Sequence, residues 1–402
     1  MALLSVEEAL ARILAKSHVM EAETVPLVSL AGRVLAADVA ARLTQPPFDA
    51  SAMDGYAVRA IDVATLPAAL TLIGESAAGH AFHGSVGKGQ TAQIFTGAPV
   101  PEGADAIVIQ ENVEAEGNNI RVVDGTPDPA HIRKRGGDFQ KDQIVLTKGR
   151  RLTARDVLLA AAMGHANLVC ARRPKVAILA TGDELVEPGE TPRPDQIISS
   201  NPFGLAAMLA AFGAEPILLG IARDTLASLS EKLAAAADAD IIITIGGASV
   251  GDHDLVVPAL KAADMTLDFW KIAMRPGKPM IFGHRGPQII LGVPGNPVSS
   301  MICTRVFAVP LVLAMLGLPA EAANPVPAAL LEPIEANGPR AHYMRAHRVR
   351  SGSGAEEGVR PILNQDSSLI SLLAAANCLI VRQPRSQALP AGAIVDTLPL
   401  DF

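Results

Sequence analysis

Apolar residues recur along this chain with two alternating periods. Val6, Ala9, Leu10, Ile13 and Leu14 fall at helical spacing, with Ser5 placed to cap and Glu8 three residues later to complete a capping box. From Leu70 to Val123 the period is two. Short runs at Leu70–Ile73, Thr91–Phe95, Ala106–Gln110 and Ile120–Val123 are separated by Gly turns, and they predict a small β domain. Leu152–Met163 returns to helical spacing, with Thr153 as cap, Asp156 in the first turn and Gly164 at its end. The two helices are expected to pack together. Residues 1–49 and 140–172 would then form one helical domain, with 50–139 inserted as the β domain.

At Lys175 the rhythm becomes strand, loop, helix. Val176–Ala180, Glu215–Ile221, Asp240–Ile245 and Gln288–Val293 are β-branched or aliphatic runs, which suit strands buried on both faces. Helices are predicted after Asn201, after Asp224, near Val256–Ala263 and from Asn296–Pro297 toward Ala314; Asn201, Asp224 and Asn296 are read as their caps. Such alternation predicts parallel strands, right-handed crossovers and helices on both faces over 173–318. Pro319–Pro327 reads as a linker. Strands at Tyr343–Val349, Val359–Leu363, Leu379–Val381 and Ala393–Thr397 predict a compact β domain over 319–402, with one short helix after Ser367-Ser368. The fold class is a multidomain α/β plus β protein.

The stretch Asp240-Ile-Ile-Ile-Thr-Ile-Gly-Gly-Ala-Ser-Val-Gly-Asp-His-Asp254 is the centre of this pattern. A buried strand there runs into a Gly-rich turn and two carboxylates. Taken alone it also reads as a strand, a tight turn and a helix cap. In an open α/β sheet, however, the loops after the parallel strands converge. Those loops carry Thr181-Gly-Asp-Glu184, Asp224, the 246–254 turn, Arg275–Lys278 and Pro294–Ser300. Gly246-Gly247 and Gly295-Asn296 offer backbone N–H groups to an anion. Lys271, Arg275 and Lys278 add positive charge. Asp183, Glu184, Asp252 and Asp254 offer hard oxygens to a Mg²⁺-like ion. Together they suit a metal-bridged phosphate substrate. Earlier in the chain, Pro46-Pro47 stiffen a loop that presents Asp49, Ser51 and Asp54.

Other motifs fit less well. No G-x-G-x-x-G follows a strand. Gly277-Lys278 is followed by Pro279 and makes no P-loop, and H-E-x-x-H is absent. Gly247-Ala-Ser-Val-Gly251 matches G-x-S-x-G, but two acids follow it directly and no His sits in an evident catalytic loop. His253 without Cys partners is a weak zinc signal.

Composition narrows the classes. The chain has 402 residues, which suggests roughly two to four domains. Its net charge of −7 argues against general nucleic-acid binding. The basic clusters at Arg133–Arg135, Lys271–Lys278 and Arg345–Arg350 therefore read as small-anion sites or as solvated charge. The apolar run Val306–Leu318 is interrupted by Pro310 and reads as too short to span a bilayer. No basic-plus-apolar leader is visible, and Cys170, Cys303 and Cys378 are odd in number and far apart, which suits a reducing cytoplasm.

Six segments occur in one order: Ser51-Ala-Met-Asp-Gly-Tyr-Ala57, Thr96-Gly-Ala-Pro-Val-Pro-Glu-Gly-Ala-Asp105, Thr181-Gly-Asp-Glu-Leu185, Gly246-Gly-Ala-Ser-Val-Gly-Asp252, Arg275-Pro-Gly-Lys-Pro279 and Pro294-Gly-Asn-Pro-Val-Ser299. In this combination the chain resembles the molybdopterin molybdenumtransferases, the bacterial relatives of the gephyrin E domain. The resemblance spans nearly the whole chain. It implies a molybdopterin-binding α/β domain third in order and a small β barrel last. It also implies a cytoplasmic homodimer with the active site shared between subunits, and Mg²⁺-dependent insertion of molybdate into adenylylated molybdopterin with release of AMP.

By the same resemblance, the catalytic set is Asp54, Thr96, Asp138, Glu184, Asp224, Asp254, Lys271 and Arg275. With Asp252 added from the reading of the residues themselves, the expected metal ligands are Glu184, Asp252 and Asp254. Substrate is held by Gly246, Gly247, Ser249, Gly251, Lys278, Pro294, Gly295, Asn296, Ser299, Arg345, Ser367 and Ser368. The candidates for molybdate within this group are Arg275, Lys278, Ser299, Arg345 and the Ser367-Ser368 pair. Ala50, Gly137 and Ala248 depart from the family pattern. Transient contacts with a molybdopterin adenylyltransferase and with molybdoenzyme chaperones are expected, and none with nucleic acid or membrane. Adenylyl transfer to the pterin, or a non-catalytic scaffold role, are the alternatives the same fold admits.

Overall fold

The computed structural model describes residues 3–247, 255–320, 325–350 and 356–400. They fall into two compact units. One comprises residues 1–23, 32–36 and 170–402, the other 24–31 and 37–169.

The first helix, α1 (Val6–Leu14), is capped as expected: the Ser5 hydroxyl accepts from the Glu8 N–H at 3.0 Å. Its apolar stripe of Val6, Ala9 and Ile13 is buried.

The second unit carries a sheet of β1 (Gly55–Val58), β2 (Ala68–Ser76), β3 (Gln90–Ile94), β4 (Ala106–Ile109), β5 (Val113–Glu116) and β6 (Asn119–Val122), in the order β4-β1-β3-β2-β6-β5. Alternation packs Tyr56, Val58, Leu70, Val108 and Ile120 into one core, and Ala57, Ile94 and Ile107 into another on the opposite face. Gly55 is forced by packing, since a Cβ there would sit 2.0 Å from the Val108 carbonyl oxygen. Helix α2 (Ala154–Ala162) has its capping box from Thr153 and Asp156. It belongs to this second unit and packs on the short 3₁₀ turn Leu27–Ser29, whereas α1 belongs to the first. Within the first unit, α1's stripe is taken up by that unit's own core.

In the first unit the central sheet consists of β7 (Lys175–Thr181), β8 (Glu215–Ala222), β9 (Ile241–Ile245), β10 (Thr266–Lys271), β11 (Pro279–Arg285) and β12 (Gln288–Val293). Its order is β8-β7-β9-β12-β11-β10, parallel as far as β12 and antiparallel from β12 to β11 and from β11 to β10. Every residue of β9 is buried, as its unbroken apolar run predicts. Helix α3 (Asn201–Ala211) packs on β7 and β8, and α4 (Leu226–Ala235) on α5 (Val256–Ala262). Helix α6 (Pro297–Cys303) continues through a π-helical stretch (Thr304–Ala308) into α7 (Val309–Met315), against which α1 seats.

That continuous 19-residue helix spans the stretch expected from Asn296–Pro297 toward Ala314, and Pro310, near the start of α7, does not break it. Most of its residues are buried inside the unit, as in a core helix. Two of the caps also differ from expectation. The cap of α4 is Thr225, whose hydroxyl accepts from the Ser228 N–H, and not Asp224. The residue before α3 is Ser200, and Asn201 is the first residue of that helix.

The last domain, also in the first unit, is built from β13 (Val326–Ala329), β14 (Ala341–Arg350), β15 (Glu356–Pro361), β16 (Cys378–Arg382) and β17 (Ile394–Pro399), with the short helix α8 (Ile370–Ala375). The order is β15-β14-β16-β17-β13. A bridge from Leu330 to Val359 returns the chain after β13 to β15, which rounds the sheet off as a small barrel.

Candidate functional site

The carboxyl ends of β7, β8, β9 and β12 open on one edge of the central sheet. Because β11 runs against β12, its first residue, Pro279, reaches the same edge. A cavity of ≈ 890 Å³ lies there. Its wall includes Thr181, Gly182, Glu184, Asp224, Gly246, Gly247, Pro279, Pro294, Gly295, Asn296 and Ser368. Eight of the residues expected from sequence thus share one cleft.

Each is placed by local physics. Gly246 (φ 92°) and Gly247 (φ 61°) take backbone angles that suit glycine as β9 ends. A Cβ on Gly246 would meet the Thr181 hydroxyl at 2.9 Å, so the turns after β7 and β9 pack as closely as backbone allows. Gly182 leaves room for the Glu184 carboxylate, whose atoms occupy the space a Cβ would claim, 2.4–2.7 Å away. Arg223 ties the next loop to this one: its Nη1 donates to the Leu185 carbonyl at 3.0 Å and to the Asp183 carbonyl at 3.2 Å. The Asp224 N–H donates to Asp183 Oδ1 at 3.2 Å. Freed from capping α4, Asp224 lines the cleft beside Glu184.

The opposite wall is held by side-chain amides. Asn201 Nδ2 donates to the Gly295 carbonyl at 2.6 Å. Asn296 is the N-cap residue of α6, but its side chain makes no bond to the helix, and its Nδ2 donates to the Ser367 hydroxyl at 2.9 Å. The Val298 N–H donates to the Ser367 carbonyl at 3.1 Å, so the 364–369 loop is docked on the start of α6. Neither Asn201 nor this docking was legible beforehand, since both join residues about 70 to 90 positions apart.

Lys271 ends β10, Arg275 and Lys278 lie on the segment between β10 and β11, and all three are exposed. Met274–Arg275 forms a short strand parallel to β14, with Arg275 opposite His342. Gly277 (φ 108°) is required there, because a Cβ would lie 2.4 Å from Cys303 Sγ. Ser299 is buried in α6 and is not among the residues of the cleft wall. Arg345, expected to hold an anion, is only 1% exposed, and its guanidinium is spent on backbone carbonyls of the 364–369 loop. A cation so enclosed cannot present itself to solvent. Ser249, Gly251, Asp252 and Asp254 lie outside the described residues.

In the second unit, the Asp54 carboxylate accepts from both the N–H and the hydroxyl of Thr96, which hold its pKa below the usual carboxylate range. The loop leading to Asp138 is tied to the Pro46–Asp54 loop by Asp49, which accepts from Lys134 Nζ at 2.9 Å and from the Arg135 N–H at 2.8 Å. Lys134, counted from sequence as part of a small-anion cluster, is thus paired inside the chain. Asp54, Thr96 and Asp138 are all exposed.

Three family models match this chain. Residues 4–164 match the MoeA N-terminal region (domains I and II), 177–314 a probable molybdopterin binding domain, and 327–400 the MoeA C-terminal region (domain IV). A molybdopterin molybdenumtransferase of Haemophilus influenzae is 34% identical over 385 residues, covering 95% of this chain and 94% of that protein.

The chain belongs to the molybdopterin molybdenumtransferase family.

Another member, from Nostoc sp., is 38% identical over 307 residues, which cover 74% of this chain and 70% of the relative. Among solved structures, the molybdopterin biosynthesis MoeA protein of Pyrococcus horikoshii superposes with a TM-score of 0.84 at 29% identity, covering 100% of both chains. The full-length similarity accounts for why the family's six segments reappear here in order.

Proposed function

We propose that this protein is a molybdopterin molybdenumtransferase, an enzyme that inserts molybdate into adenylylated molybdopterin and releases AMP. The observation that carries this reading is the convergence on one cleft of Glu184, Asp224, the 246–247 turn, Pro294–Asn296 and Ser368, in a chain whose relatives of that name align along nearly its full length. A cleft of ≈ 890 Å³ falls in the size range of sites for nucleotide-sized ligands.

Both substrates are anionic. Two unit charges 4 Å apart repel by about 4 kcal/mol at an effective dielectric of ~20. Lys271, Arg275 and Lys278, at the mouth of the β10–β11 segment, offset that cost. The Gly246–Gly247 turn brings bare backbone close enough to grip a phosphate. Glu184 and Asp224, on adjacent strand ends, are exposed hard-oxygen donors of the kind Mg²⁺ takes. Asp252 and Asp254 are the further ligands expected, and among the described residues no group of three such side chains occurs. The donor chemistry fits Mg²⁺, with Glu184, Asp252 and Asp254 to hold it. Bound there, the ion would neutralise phosphate charge and polarise the phosphoanhydride. Glu184 and Asp224 accept hydrogen bonds from the attacking water and orient it.

We place the working form in the cytoplasm as a homodimer, with Asp54, Thr96 and Asp138 serving the site of the other subunit. The family resemblance supports this part. The assay is molybdate-dependent AMP release from adenylylated molybdopterin. Purified protein that releases no AMP with Mg²⁺ and molybdate present would sink the reading, and full-rate release by Asp254→Ala would sink the metal assignment. Mixing Asp54→Ala with Asp254→Ala subunits should restore part of the activity if the sites are shared.

A further inference from the structure

Arg345 lies in the middle of β14 and is the largest fully buried side chain among the described residues. A buried guanidinium is costly unless its donors are satisfied. Here Nη1 donates to the Leu369 carbonyl at 2.9 Å, and Nη2 to the carbonyls of Asn364 at 3.0 Å and Asp366 at 2.8 Å. Its Nε is buried with no hydrogen-bond partner among the described residues. The cation's hydrogen bonding therefore goes to one loop.

Gln365 closes the same loop from its own side. Its Oε1 accepts from the Arg345 N–H and its Nε2 donates to the Arg345 carbonyl, both at 3.0 Å, so that a side-chain amide stands in for a strand's ladder. Asp366 Oδ1 then fixes the tip, accepting from the Ser368 N–H at 2.8 Å and the Ser368 hydroxyl at 2.7 Å. The result is a loop with its carbonyls turned inward onto Arg345. Ser367 is left to dock on Asn296 and Val298, and Ser368 to line the cleft.

We infer that Arg345 and Gln365 are positioning residues: they act on the bound anion only through the 364–369 loop, by setting where Ser368 stands, and Arg345 does not itself touch the anion. The inference rests on the molybdate-insertion reading for its substrate, but the geometry of the clamp does not.

The test compares Arg345→Lys and Gln365→Ala with the wild type. Lysine keeps the charge but cannot reach three carbonyls from one fork; alanine removes the amide pairing and leaves the charge in place. Hydrogen exchange on peptides covering 362–370 and 296–300 should quicken by at least about tenfold in both variants while the central sheet stays protected. Both should raise the KM for molybdate several-fold, with a smaller change in kcat. Unchanged loop exchange in Arg345→Lys would overturn the clamp. So would a Gln365→Ala protein with a loosened loop and an unaltered molybdate KM, since the charge of Arg345 would then be acting directly. Wild-type protein without molybdate-dependent AMP release would instead refute the functional reading, and the exchange comparison would still decide the clamp.

Discussion

Asp54 and Thr96, 42 positions apart in sequence, meet through a single carboxylate oxygen: Asp54 Oδ1 lies 2.7 Å from the Thr96 nitrogen and 2.8 Å from its hydroxyl. The backbone bond first and the hydroxyl bond second keep the acid ionised. A hydrogen bond to a charged group is stronger than one between neutral groups. Thr96→Val removes one of the two and should slow AMP release by about tenfold or more, whereas Thr96→Ser should stay near wild type. Equal rates for the valine and serine proteins would show that the hydroxyl is idle.

Gly55, the next residue after Asp54, has no room for a methyl group. Gly55→Ala would push a Cβ into the Val108 carbonyl of the neighbouring strand. Overpacking against backbone costs about 1–3 kcal/mol or more. The variant should melt several degrees lower, as read by the near-ultraviolet or calorimetric transition, and lose Asp54 function with it.

His342 gives the fold a pH dependence. Burial first, and the positive charges of Arg275, Arg382 and Arg340 next, push its pKa down to about 4 from an ordinary 6.5. The unfolded chain therefore binds a proton between those values that the folded chain refuses. Stability is fully present above about pH 6.5 and declines as pH falls toward 4. Urea midpoints followed across this window should slope for the wild type and flatten for His342→Gln. Parallel slopes in the two proteins would assign the effect to other groups.

Metal dependence should map to the acids of the cleft. Chelation should abolish AMP release, and added Mg²⁺ should restore it. Glu184→Gln should raise the Mg²⁺ needed for half-maximal rate by about tenfold or more. Binding of Mn²⁺, measured without substrate by its paramagnetic signal, should weaken in step. A Glu184→Gln protein with unaltered metal binding would remove Glu184 from the ligand set.

Much of the architecture could be read from apolar periodicity alone. β9 was visible because five consecutive apolar or β-branched residues have no other home than a doubly covered strand. The Gly246–Gly247 turn and Glu184 were visible because strand ends in such sheets meet by topology. Two readings failed for one reason, which is that a local rule cannot see a distant partner. Asp224 looked like a cap, but Thr225 takes that task and leaves Asp224 to the cleft. Asn201 looked like a cap, but Gly295 lies within reach of its amide. Arg345 is a molybdate candidate by resemblance, and nothing in its flanking sequence announces the carbonyls that enclose it.

The segment between β10 and β11 has a further consequence. Its Met274–Arg275 stretch forms the edge strand of the C-terminal sheet while its ends belong to the central one. Leu4 pairs with the same stretch, exchanging backbone hydrogen bonds with Lys271 and Ala273, and the Ala341 N–H reaches the Ala273 carbonyl. One short piece of backbone is thus common property of two sheets and the chain's beginning. Neither sheet can melt without fraying the other, and Ala341, Tyr343, Leu379 and Leu398 of the C-terminal sheet share the buried core of the α/β domain, so the two domains should behave as a single cooperative folding unit.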